Sequence, residues 1–150
     1  MSDNTKLSSR AEQDYFLWLN TTIEQLKARK FGDLDIQRLV EEIEQMGGSL
    51  KDALENNLIV VLAHLLKWKY QPEYRSGSWR GSIKEHRRRI NKAMKRHPSL
   101  KRYFREIFAE CYPPAQDWAS AETGLPLAQF PAECPFNPEQ VLDPEFLPDW

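Results

Sequence analysis

The chain is poor in the residues that staple or span. Two cysteines in 150 residues, Cys111 and Cys134, have no Cys-x-x-Cys spacing. That excludes a disulfide scaffold and a thiolate metal knuckle, and reduced cytoplasmic thiols are the expectation. The longest apolar run, Leu58 to Leu66, is nine residues and is interrupted by His64. About 20 apolar residues are needed to cross a bilayer, so no membrane partner is expected. The opening, Met1 to Arg10, is polar and lacks the apolar core of a secretion signal. No Glu-x-x-His pair occurs. A bundle di-metal site needs such pairs, so the carboxylates Glu41, Glu42 and Glu44 are read as a solvated or ion-paired face. No metal and no cofactor is expected.

The last absence is of charge of one sign. After Arg105 there is no Lys or Arg, while Glu106 to Trp150 carries nine acids. From Arg75 to Arg105 the balance is reversed, with twelve bases and the single acid Glu85. These opposite blocks nearly cancel, leaving a formal net charge of −1. The basic stretch therefore has two candidate partners, an external polyanion or the acidic end of its own chain.

What is present is helical periodicity. Phe16, Leu19, Ile23 and Leu26 mark a helix over about 11–30, with Ser9 as its cap. Ile36, Leu39, Val40, Ile43 and Met46 mark a second, over 35–46, with Gly47-Gly48 as its stop. Ser49 restarts a third, over 50–70. It is apolar nearly all round, as a central helix should be, and ends at Pro72. The basic helix follows over 78–96. Pro98-Ser99 then opens a fifth helix, capped by Ser99, and Pro113-Pro114 divides it from a short sixth that ends at Gly124.

Six of the ten prolines lie at or beyond Pro126, so the end of the chain is expected to be extended. Within it, Asn137-Pro138-Glu139-Gln140 has the order of a capped helical turn. Its apolar residues, among them Phe130, Phe136, Phe146 and Trp150, are too many for a solvated tail. The expected fold is all-α: a bundle of four to five main helices with a Pro-rich C-terminal segment packed on it. Residues 1–10 read as a disordered tail, 11–124 as the bundle and 125–150 as the wrapping segment, one domain overall.

Several uncommon words occur in order. They include Leu39-Val40-Glu41-Glu42-Ile43-Glu44-Gln45-Met46-Gly47, His64-Leu65-Leu66-Lys67-Trp68 and Tyr70-Gln71-Pro72. Glu122-Thr123-Gly124-Leu125, Cys134-Pro135-Phe136 and Leu142-Asp143-Pro144 continue them. Over about 11–148 the chain resembles domain-of-unknown-function family 29, cyanobacterial-type helical proteins. The resemblance implies an all-helical cytoplasmic protein and brings no activity, substrate or catalytic residue.

Function must then be read from side chains. Arg80, Lys84, Arg87, Arg88 and Lys92 form a band suited to phosphates or other anions, with Trp68, Tyr74 and Trp79 near for stacking. The bulk pI near 6.3 is below that of dedicated nucleic-acid binders. Arg80 and His86 make an Arg-x5-His, superficially similar to ribonucleases of the HEPN type. There an arginine would hold the phosphate and a histidine move the proton. A spacing of six puts the two about 120° apart on an ideal helix. Asn57 and His64 lie on one stripe of the central helix and read as a structural polar pair, tied to Glu42, Glu44 or another helix. The resulting expectation is a non-catalytic binding module with a basic helix face. The alternatives are a ribonuclease using Arg80 and His86, and a structural or homodimeric protein whose charges cancel internally.

Overall fold

A computed structural model describes residues 14–149. It is all-α, without strands among the described residues. The helices are α1 (Tyr15–Lys27), α2 (Ile36–Tyr70), α3 (Gly77–Arg96), α4 (Leu100–Thr123) and the short α5 (Pro138–Leu142), with 3-10 turns at Phe31–Asp33, Pro72–Tyr74 and Leu127–Gln129. The chain divides into two compact units, one ending at Met46 and the other beginning at Gly47. The expected cap Ser9 and the tail 1–10 lie outside the described residues. Within them, Asp14 caps α1 by accepting from the Leu17 amide at 3.1 Å.

In the first unit α1 and the start of α2 form an antiparallel hairpin. The Tyr15 hydroxyl donates to Glu42 Oε2 at 2.7 Å, and the Arg38 guanidinium lies over the Trp18 ring at 4.6 Å. Glu42 is thus engaged by α1.

Two expected breaks are absent. Gly47-Gly48 does not end a helix, and α2 runs through it for 35 residues. Glycine permits a left-handed stop but does not force one, and neither residue has positive φ. Pro113-Pro114 does not divide α4, which is continuous over 24 residues. Their missing N–H groups leave the Ala109 and Glu110 carbonyls without helical partners. Both residues are exposed, so water can take those bonds. Gly124, at φ 75°, does end α4 as expected. Ser99 stands at the start of α4 but its side chain makes no capping bond.

The core of the second unit is built on the half of α2 from Leu54 to Trp68, where ten residues are buried. Ile83, Ile90 and Met94 of α3 and Phe104, Ile107, Phe108 and Cys111 of α4 pack around it. The C-terminal segment contributes Phe130, Phe136 and Val141 to the same core. Phe130 meets Tyr70 edge-on at 5.5 Å, and Phe136 meets Phe146 at 6.1 Å. The Tyr112 hydroxyl and Gln116 amide both donate to the Pro131 carbonyl, at 2.7 and 2.8 Å. The Asn137 turn forms with a reciprocal capping box to Gln140.

Candidate functional site

α3 begins where Ser76 accepts from the Trp79 amide at 3.2 Å, and it sets the basic residues at helical spacing. Arg80, Lys84, Arg87, Arg88, Asn91, Lys92 and Lys95 fall along one side, and Pro144, Glu145 and Leu147 of the C-terminal segment face them. The result is a groove of about 820 Å³. Buried Ile83 and the apolar Pro144 and Leu147 give it a greasy lining beneath a cationic rim. All five residues of the expected anion-binding band line it.

They do not play equal parts. Arg87 is only 3% exposed. Its Nε donates to the Val141 carbonyl at 2.7 Å, Nη1 to Phe146 at 3.0 Å and Nη2 to Gln140 at 3.4 Å. Asn91 Nδ2 donates to the Leu142 carbonyl at 3.0 Å. Val141 and Leu142 end α5, and their carbonyls have no further turn to bond, while the Gln140 carbonyl also accepts from the Asp143 amide at 3.3 Å. Arg87 and Asn91 supply the missing donors, so this part of the basic helix is an anchor for the chain's own end. Burial lowers the Arg87 pKa, and the nearby Asp143 charge opposes that shift.

Arg88 grips Glu85 through two bonds, of 3.0 and 2.8 Å, and Arg89 adds a third at 3.1 Å. Those bonds lower the Glu85 pKa to about 2. Arg80 stacks over Trp68 at 5.4 Å. Arg80, Lys84, Lys92 and Lys95 pair with no carboxylate among the described residues. Of the acids of the 125–150 segment, Glu139 alone is ion-paired with a base of the 75–105 block among the described residues, at 2.9 Å from Arg105, while Arg102 pairs with Glu106 within α4 at 3.0 Å. The tail is therefore held mainly by backbone carbonyls and apolar side chains. Beyond Lys95 a smaller hollow adds Lys101 and Arg105, extending the positive surface.

The expected stacking aromatics are differently placed. Trp68 is buried beneath Arg75, 5.0 Å from its ring, and Arg80. Arg75 Nε also donates to the Trp68 carbonyl at 2.8 Å, an acceptor left open because Pro72 has no N–H. Trp79 lies beneath Lys67, whose ammonium is 4.6 Å from the ring centre. Tyr74 is exposed and outside the groove lining.

His86 directs Nδ1 to its own helix, 2.8 Å from the Ser82 carbonyl and 3.4 Å from the Ser82 hydroxyl. It does not line the groove that holds Arg80. His64 directs Nδ1 to the Val60 carbonyl at 2.8 Å and meets Trp118 edge-on at 5.9 Å. Burial lowers its pKa below 6.5. Asn57, two turns earlier, is half-buried.

Near His64 is a charged pair that periodicity alone does not reveal. Lys67, 5% exposed, bonds Glu122 of α4. Trp118 also donates to Glu122. The Lys67 bond, aided by that from Trp118, lowers the Glu122 pKa. The sequence signal is a lysine closing a run of buried residues, since an ammonium in that position requires a partner.

No group of His, Cys, Asp and Glu side chains able to hold a metal occurs among the described residues. Cys111 and Cys134 are free thiols, and burial pushes the Cys111 pKa up to about 11. No described helix is long and apolar enough to cross a membrane. No curated protein and no solved structure matches the chain significantly. The profile of one family does match, over residues 11–147, nearly the whole chain, and the protein belongs to that family, the domain of unknown function DUF29.

Proposed function

We propose that this protein is a non-catalytic cytoplasmic binding module whose α3 groove takes an acidic, partly apolar segment of a protein partner. The observation that carries this is the groove's rim. Arg80, Lys84, Lys92 and Lys95 line it without carboxylate partners among the described residues, above the apolar Ile83 and Leu147. Cations over an apolar floor complement a peptide that alternates acidic and aliphatic side chains. Single-stranded nucleic acid is less well matched, because base stacking needs open aromatic faces. Trp68 and Trp79 each carry a cation over the ring. A ribonuclease reading would need Arg80 and His86 on one substrate, and His86 is turned toward Ser82.

The test is fluorescence anisotropy with two labelled probes, a peptide of alternating Glu and Leu and a single-stranded RNA of similar charge. The peptide is expected to bind in a salt-sensitive manner. Lys84→Ala with Lys92→Ala is expected to weaken it about tenfold or more while circular dichroism stays unchanged. Tighter binding of RNA would replace the peptide by nucleic acid. Absence of binding to both at low salt would overturn the groove as a site.

A further inference from the structure

We infer that the α1–α2 hairpin is a self-association surface, and that two copies of the chain pair through it as a four-helix bundle. The surface shares no residue with the α3 groove, and the inference does not depend on the groove's ligand.

Tyr15 and Trp18 of α1 meet Glu42 and Arg38 of α2, which fixes the contact line and the antiparallel sense. At about 100° per residue, Phe16 and Ile23 lie roughly 120° around α1 from that line. Ile36, Val40, Ile43 and Met46 lie, on average, roughly 120° around α2 from it, in the same sense of rotation. Antiparallel neighbours carry an equal rotation to the same side of the hairpin. The two apolar stripes therefore form one face.

That face is open. The six side chains range from 44% exposed at Ile23 to 76% at Phe16. Taking about 200 Å² for a fully exposed large side chain, they present on the order of 700 Å² of surface. The largest apolar patch of a typical monomer is about 300–600 Å². Each side of a standard stable interface buries about 800 Å². The face thus falls close to what one half of a dimer requires.

A second copy is the occupant that fits. Two antiparallel hairpins pressed together on their apolar sides make a four-helix bundle, and a two-fold axis presents the same face twice. The segment 1–13 contains only Met1, Leu7 and Ala11 as apolar residues, too few to match the face. On the stripe itself the polar members are Asn20 and Lys27, and Lys27, at the end of α1, is exposed and can extend its ammonium to water. Arg38 and Glu42 lie on the contact line, so pairing buries no unmatched ion on that account.

Sedimentation of the full chain at micromolar concentration tests this. The expected mass is twice 17.6 kDa. Val40→Glu with Ile43→Glu is expected to weaken the dimer more than about 100-fold, because it would bury charge without a partner. Both positions are exposed in the single chain, so helix content should persist. Phe16→Glu, on the other helix, is expected to act likewise. Lys84→Ala with Lys92→Ala should leave the dimer intact. A monomer at all concentrations would overturn the inference. So would a dimer that survives both hairpin variants, or one that is lost only in the groove variant.

Discussion

Arg87 Nε donates a 2.7 Å hydrogen bond to the carbonyl of Val141, a residue 54 positions further along the chain. The same guanidinium reaches Phe146 and Gln140, so one side chain ties the middle of the molecule to its end. An arginine in the densest basic run of the sequence is thus among its most buried charges.

Changing Arg87 to Met should destabilise the fold by about 3 kcal/mol, since buried carbonyls would lose a charged donor. Arg87→Lys should recover only part of this, because an ammonium lacks the planar fork that spans three acceptors. Asn91→Ala should cost about 1 kcal/mol. Urea unfolding measures all three, and an Arg87→Met protein as stable as the wild type would sink the anchor.

Stability should fall with acid in two stages. His64 has a folded pKa below 6.5, so the unfolded chain binds its proton first. Its contribution is complete above the unfolded value and is lost as pH falls from about 7 through the lowered folded value. Trp118, Lys67, Glu122 and His86 surround it, and Lys67 adds to the lowering. Glu122 has a folded pKa below 4.5, so its contribution is lost at still lower pH. Unfolding midpoints measured across pH should show the first stage vanish in His64→Phe and the second shrink in Glu122→Gln.

Gly47→Ala and Gly48→Ala should each stabilise the protein by about 0.5–1 kcal/mol. Both glycines are inside α2, and a methyl group at either meets nothing within 4 Å. A drop in melting temperature for either variant would show that the helix needs flexibility there.

Pro114→Ala should also stabilise, by about 1–3 kcal/mol, through the restored bond to Glu110. Part of the gain is offset by a freer unfolded chain. Thermal melts would decide, and an unchanged midpoint would mean that water already satisfies that carbonyl fully.

The helical class was legible because apolar residues recur at 3.6-residue spacing, and Asn137-Pro138 announced its own capped turn. Punctuation misled at Gly47-Gly48, where glycine permits a stop without forcing one, and at Pro113-Pro114, where the packing of buried Cys111, Tyr112 and Ala115 outweighs a preference of about 3 kcal/mol per residue. The groove was half legible. Composition located the basic band, yet only the docked segment distinguishes Arg87, turned inward, from Lys84 and Lys92 on the rim. The blocks of opposite charge suggested carboxylates bound to bases. What binds instead is mostly the peptide backbone, which carries no signature in sequence.

That mode of attachment has a consequence for the acids themselves. A carbonyl oxygen is the same on every residue, so Arg87 and Asn91 would hold almost any side-chain sequence whose backbone follows this path. Asp143, Glu145 and Asp149 are left out of the ion pairs described, and neither high salt nor mild acid should detach the segment. The charges of Glu145 and Asp149 are in this sense decoupled from the architecture and free to change without loosening it.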